Sequence, residues 1–199
     1  MAATSPWVRI PPSPQHRPAP RGGPVRARAG RTSGTVEDVP HTLDPDERHD
    51  TWMRAALVEA GAAALEGEVP IGAVVVHLAD PGGPRIVASR HNERERSDDP
   101  TAHAEVLALR DAAHHLGRWR LDDCLLVVTL EPCPMCAGAA WAARIGGVVQ
   151  GAANVEAGAL GTLYHLGQDP RLNHEFPVRH GVLADDASAM LRSFFADRR

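Results

Sequence analysis

Two short segments, Thr101-Ala-His103-Ala-Glu105 and Glu131-Pro132-Cys133-Pro134-Met135-Cys136, constrain this chain more than any other feature. Each stands where a loop or strand gives way to an apolar helical run. Asp98, Asp99, Pro100 and Thr101 supply cap and first-turn chemistry for a helix expected over 102–116, and Pro132 opens a helix expected over 132–145. The second segment follows a β-branched strand at 125–130, and a short strand is expected at 147–151. Upstream, Asp44, Pro45 and Asp46 announce an amphipathic helix over 47–65, ended by Gly67 and Pro70, with Trp52, Ala55, Ala56, Val58, Ala62 and Leu65 as its apolar stripe. Strands at 71–78 and 85–89 flank the turn ADPGGP, which makes a hairpin, and a last helix is expected over 184–196. A hairpin followed by two strand–helix–strand crossovers predicts an α/β fold, a mixed sheet sandwiched between helix layers. Both polar segments then lie on the same edge of the layer.

Residues 1–40 are rich in Pro, Arg and Gly, without a periodicity that buries a face, and are expected to be a disordered extension ahead of one domain at 44–199. The net charge of −4 hides an asymmetry, because Arg9, Arg17, Arg21, Arg26, Arg28 and Arg31 meet no acid before position 35. Removing those six charges leaves −10 on the remainder, which is not the footprint of a general nucleic-acid binder, so any such function needs a local basic patch. No apolar run reaches membrane-span length and the start lacks a signal peptide's apolar stretch, so a cytoplasmic protein with no membrane partner is expected. Three cysteines, two of them three positions apart, suit metal or redox chemistry in a reducing compartment better than a disulfide framework.

Cys133 and Cys136 share a face of a helix's first turn, where the helix terminus favours the thiolate that binds zinc. His103 supplies a third ligand from the neighbouring helix start. Three protein ligands leave a fourth tetrahedral position for water, the mark of a catalytic rather than a structural zinc site, and zinc lowers that water's pKa from about 15.7 toward about 7. Glu105, two residues past the ligand, is free to carry the proton from water to a ring nitrogen and then to departing ammonia. H-x-E with P-C-x-x-C is the signature of the zinc nucleobase deaminases, so one zinc per subunit and hydrolytic deamination of a base are expected. A thiol redox pair would leave His-Ala-Glu unexplained. A non-catalytic, zinc-stabilised RNA-binding module would need a fourth protein ligand, and none stands at suitable spacing. Cys124 reads as a small core residue, and Glu131 as a carboxylate near a helix N-terminus.

The segments DPTAHAEVLALR, VTLEPCPMCAGA, GAANVEAGALGTL, RLNH and SFFADRR resemble the bacterial tRNA-specific adenosine deaminases, over about residues 48–199. The resemblance implies a three-layer α/β/α sandwich of the cytidine-deaminase kind with a mixed five-stranded sheet, a homodimer, and conversion of adenosine to inosine at the wobble position of a tRNA anticodon loop. A fifth strand would then lie beyond 151, where the residues themselves show only turns. Carried over by position, Asn92 and the backbone of Ala104 contact the flipped nucleotide, and Pro70, Ile71 and Leu130 wall its pocket. Asn154, Asn173, His174 and Phe195 fall where that family touches flanking nucleotides, with Arg198 and Arg199 close by. Two departures are the longer ADPGGP turn and the segment AANVEAGA, uncharged apart from Glu156 where many relatives have a basic residue. A free-base deaminase, acting on guanine or cytosine, shares HAE, LDDC and PCPMC, whereas AGAAWAARI, RLNH and FFADRR favour the tRNA reading.

Overall fold

The computed structural model describes residues 45–196 and 198; the expected extension at 1–40, and Arg199, lie outside the described residues. Helix α1 (Glu47–Leu65) is followed by the hairpin β1 (Gly72–His77) and β2 (Arg85–His91), the single turn α2 (Arg94–Ser97), α3 (Ala104–Leu116), β3 (Cys124–Leu130), α4 (Pro134–Ala142), β4 (Gly147–Ala152), a 3-10 turn (Leu166–Gln168), β5 (Val178–Arg179) and α5 (Ala184–Ala196). The strands form one five-stranded sheet in the order β2-β1-β3-β4-β5. β1 pairs antiparallel with both β2 and β3, while β3, β4 and β5 run parallel. The mixed sheet and its five strands are as expected.

Three strands are apolar on both faces, as a sheet covered by helices on each side requires. Ala73, Val75, Leu126, Val128 and Val148 pack with Ala104, Ala108, Leu109, Ala137 and Ala140 of α3 and α4. Val74, Val76, Leu125, Val127 and Val149 pack on the other side with Trp52, Met53 and Ala56 of α1. α1 lies so close to the sheet that a Cβ on Gly72 would stand 2.0 Å from the Ala56 carbonyl oxygen. Small residues at 56, 60 and 63, all fully buried, permit that approach.

Several sequence expectations shift in detail. Asp46, with φ −137°, is itself the N-cap of α1 and accepts from the Arg48 N–H at 2.8 Å, so Pro45 precedes the helix and is not in its first turn. The buried stripe of α1 is His49, Trp52, Met53, Ala56, Ala60 and Ala63, whereas Val58 is 74% and Leu65 91% exposed. The implied fifth strand is β5, only two residues long, with Val178 beside Val148. No helix among the described residues is long and apolar enough to cross a membrane.

Candidate metal centre and its surroundings

Both helices that carry the candidate metal ligands begin later than the capping pattern suggests, and the delay leaves His103 and Cys133 at the N-cap positions. Asp99 spends its carboxylate on the Thr101 N–H at 2.8 Å and hydroxyl at 2.7 Å, which forms a turn ahead of α3 and leaves His103 as the N-cap. His103 makes no side-chain cap hydrogen bond, so its imidazole projects from the helix end. In the same way Pro134 occupies the first turn of α4, and Cys133, at φ −71° and ψ 172°, is the N-cap. Cys136, three residues on, is buried beside it.

His103 Nδ1 lies 3.8 Å from Cys133 Sγ and 3.5 Å from Cys136 Sγ, and the two sulfurs are 3.6 Å apart. Tetrahedral zinc with ordinary Zn–S and Zn–N bonds would hold two sulfurs about 3.8 Å apart and sulfur and nitrogen about 3.6 Å apart. The donor set and its spacing therefore fit that ion, and these are the residues that could hold a metal. Cys133 is pulled down to about 4 by its hydrogen bond with Cys136 and by the His103 ring. Cys136 is pushed the other way, up, by the same pairing and by burial. A dication at the centre of the three atoms favours the second thiolate as well.

Glu105, only 4% exposed, sits in the first turn of α3, and its Oε2 is buried without a hydrogen-bond partner among the described residues. Burial pushes its carboxyl up, with the His103 ring pulling the other way. A buried carboxyl with a spare oxygen and a raised affinity for protons beside three metal-type ligands is suited to proton transfer.

The residues that the sequence suggests for a substrate pocket lie at the ends of the elements that carry these side chains or of their neighbours in the sheet. Ala104 is buried at the start of α3, Leu130 ends β3 one residue before Glu131, and Pro70 and Ile71 immediately precede β1. Asn92 follows β2; its N–H donates to the Ile71 carbonyl at 3.0 Å, and the Glu93 N–H donates to Ala102 at 3.0 Å, which ties this stretch to the chain just ahead of His103.

The flanking residues are less uniform. Phe195 is 49% exposed, edge-on to Phe194 with ring centres 5.3 Å apart, and lines a surface groove of about 770 Å³ with Val155, Glu156, Leu191 and Arg192. Asn154 lies next to that groove in sequence, but its side chain is engaged locally: Oδ1 accepts from the Ala157 N–H at 3.0 Å and the Glu156 N–H at 3.2 Å. Asn173 Oδ1 accepts from Arg144 at 2.8 Å, and His174 Nε2 is 3.0 Å from the Ile145 carbonyl, so both brace the end of α4. Arg198 stacks on Phe194 at 3.6 Å and reaches the Gly67 carbonyl at 3.4 Å, tying α5 to the end of α1.

Two buried glutamates carry more than the sequence indicated. Glu131 was expected to be an ordinary carboxylate at a helix terminus; instead it accepts from the N–H groups of Asn154 at 3.1 Å, Leu160 at 3.1 Å and Thr162 at 2.9 Å, and from the Thr162 hydroxyl. Burial alone would raise its carboxyl, yet these bonds outweigh burial and hold it low. The loop folds so tightly around it that a Cβ on Gly158 would lie 2.4 Å from Glu131 Oε2. Glu68, which sequence reasoning missed, accepts from Asn92 Nδ2 at 2.9 Å and from the Arg96 N–H at 2.8 Å. Its only local signal was an acid directly ahead of the pocket residues Pro70 and Ile71. Cys124 is fully buried and pushed up to about 12 by that burial, in keeping with a core thiol.

Residues 47–198 match the family model of the MafB19-like deaminases. The tRNA-specific adenosine deaminase of Bacillus subtilis is 45% identical over 150 residues, which is 75% of this chain and 90% of that protein. A solved structure from a study of A-to-I editing by tRNA:A34 deaminases at the wobble position is 38% identical, covering 71% of this chain and 99% of the other, with a TM-score of 0.66. The guanine deaminase of Nitrosomonas europaea, at 28% identity over 80% of this chain and 89% of that one, aligns with a TM-score of 0.61.

Proposed function

The chain belongs to the tRNA-specific adenosine deaminases within the MafB19-like deaminase family, and from that membership we propose that it hydrolyses adenosine to inosine at the wobble position of a tRNA anticodon. The observation that carries this reading is the meeting of His103, Cys133 and Cys136 within 3.8 Å of one another beside the buried carboxyl of Glu105, whose Oε2 has no hydrogen-bond partner among the described residues. His103, Cys133 and Cys136 would hold one zinc per subunit, and that zinc would supply the acidification of a water at neutral pH. Glu105 would carry one proton of the attacking water to the ring nitrogen and then the second, from the newly formed hydroxyl, to the departing amine, so that water and adenosine yield inosine and ammonia. Asn92 and the Ala104 backbone orient the base, while Pro70, Ile71 and Leu130 exclude solvent from it.

A base in an anticodon loop is already partly unstacked and costs less to extract than one in a duplex, which suits a closed pocket. Phe195, exposed at a groove shared with Val155 and Arg192, provides a face on which a flanking base can stack. Asn154, Asn173 and His174 complete the proposed RNA surface, the last two chiefly by holding its framework. The active form is a homodimer in which the Ala-rich α4, with Gly138 and Trp141, approaches its twin, and the enzyme works in the cytoplasm, where tRNA is matured. Light scattering at micromolar concentration tests the dimer, and a monomer there would refute it.

The deciding assay compares an anticodon stem-loop carrying adenosine at the wobble position with free guanine, cytosine and adenosine. Deamination of the stem-loop and none of the free bases is expected. Rapid turnover of free guanine with an untouched stem-loop would transfer the chain to the activity of its guanine deaminase relative and leave the metal chemistry standing.

A further inference from the structure

The pair formed by Glu68 and Asn92 has a chemistry of its own. Glu68 is 1% exposed and Asn92 3%, so neither reaches bulk solvent. A carboxylate in such a place is tolerated only when donors satisfy its oxygens. Here one oxygen accepts from the fixed main-chain N–H of Arg96 and the other from the Asn92 amide. A carboxylate accepts and never donates, so the Asn92 amide is held with its NH2 toward Glu68. The carbonyl oxygen and the second N–H of the amide remain for other partners, each on a side that the bond to Glu68 fixes. Asn92 itself is pinned between Ile71 and the segment that leads into His103 by the two main-chain bonds at 3.0 Å.

We propose that Glu68 is a positioning residue that locks Asn92 with its carbonyl oxygen toward the bound nucleotide, so that this side of the pocket selects a hydrogen-bond donor. This rests on the reading that Asn92 touches the nucleotide. The donor is a hydroxyl or an N–H; the ribose 2′-hydroxyl and the base edge are its two sources. An acceptor offered at the same place meets a carbonyl that cannot turn over, because turning would set the amide oxygen against Glu68.

Glu68→Gln tests the orientation directly. The Arg96 N–H cannot move, so the introduced amide must give it its oxygen and turn its NH2 toward Asn92. Asn92 then flips to accept, and presents NH2 where the nucleotide needs an acceptor. Asn92→Asp alone sets two carboxylates face to face. In the double variant Glu68→Gln/Asn92→Asp the new amide donates to one oxygen of the new carboxylate, and the other oxygen again faces the nucleotide as an acceptor.

Zinc content, thermal midpoint, kcat and KM are measured for each variant with the wobble-adenosine stem-loop and with the same stem-loop carrying 2′-deoxyadenosine at that position. The expected result is a roughly 10- to 100-fold fall in kcat/KM for Glu68→Gln at unchanged zinc. A larger fall is expected for Asn92→Asp, with recovery of most of the loss in the double variant. If the 2′-hydroxyl is the donor, the deoxy substrate is insensitive to Glu68→Gln; if the base supplies it, the sensitivity persists. Wild-type kcat/KM in Glu68→Gln, or a folded, zinc-loaded double variant with no recovery, would overturn the proposal and leave Glu68 a mere brace for the Arg96 turn. An Asn92→Ala variant with full activity would overturn the premise that Asn92 touches the nucleotide, and the proposal with it. If only free guanine is turned over, the tRNA reading falls while the same variants, assayed on guanine, still decide the role of Glu68.

Discussion

At the starts of α3 and α4, ligand atoms from residues 30 and 33 positions apart in the chain meet within 3.8 Å, and none is needed for capping. The flanking surface is built otherwise. Asn154, Asn173 and His174 sit in loops, where each spends hydrogen bonds on its own framework, and Phe195 stands half exposed on the last helix. The difference follows from what each region has to hold. A metal ion draws rigid donors to a point, and two helix ends on one sheet edge provide that rigidity whatever the rest of the loop does. A flexible nucleic acid is met by stacking and shape, which many side chains supply in part and no single one supplies alone. Substitutions at the metal centre should therefore abolish function, and those on the surrounding surface should only weaken it.

The largest expected effect is at the ligands. Cys136→Ser should lose bound zinc and all detectable deamination, and a chelated preparation should regain activity when zinc is restored. Metal analysis paired with inosine formation checks both, and a metal-free preparation that works at full rate would break the comparison at its root. Next, Glu105→Ala should retain zinc while losing about two to four orders of magnitude in rate, the usual worth of a positioned acid–base group. Loss of zinc along with Glu105 would make it a ligand rather than a proton carrier.

The meeting of His103, Cys133 and Cys136 was legible in the sequence because its information is local: residue type, spacing of three, and a proline at a helix start. The same local rules placed the helix starts within about two residues; the shortfall at 102 arose because Asp99 caps a turn rather than the helix itself, and that at 132 because Cys133 is the N-cap and Pro134, not Pro132, stands in the first turn. Regions governed by distant partners were not legible. β5 is two residues beside β4, too short for any alternation to show. Val58 and Leu65 looked like core because they are apolar, yet the buried face of α1 runs through 49, 52, 53, 56, 60 and 63. The roles of Glu131 and Glu68 depend on main-chain donors 23 to 31 residues away, which leave no mark on the local pattern.

Glu131 joins the two regions, since it lies two residues before Cys133 and yet its carboxylate bonds all go to the loop that carries Asn154. Glu131→Gln should lower stability by about 1–3 kcal/mol, because the introduced NH2 would face the N–H of Asn154 or of Leu160 and Thr162 and leave donors unpaired. Thermal unfolding measures that cost. Stem-loop deamination should fall more than zinc content does; equal loss of both would mean that the loop and the metal site are one unit and not two. Phe195→Ala comes below it, with about 1–3 kcal/mol of lost stacking, read as weaker kcat/KM on the stem-loop at constant zinc.

The smallest effect is expected at His174, and it is the most discriminating. Its Nε2 is 3.0 Å from the Ile145 carbonyl and its ring lies 5.8 Å from that of Phe176, itself almost fully buried. Both partners belong to the framework behind the flanking surface. His174→Ala therefore removes one hydrogen bond and part of a ring contact, a loss of about 1 kcal/mol in stability. Zinc occupancy should be untouched, and kcat/KM on the stem-loop should fall by less than it does for Phe195→Ala, since the framework is shared among Arg144, Asn173 and the end of α4. A His174→Ala variant that keeps its thermal midpoint but loses stem-loop activity as severely as Phe195→Ala would show that the imidazole touches RNA directly. The flanking surface would then contain a second point contact, and the contrast with the metal centre would narrow to one of degree.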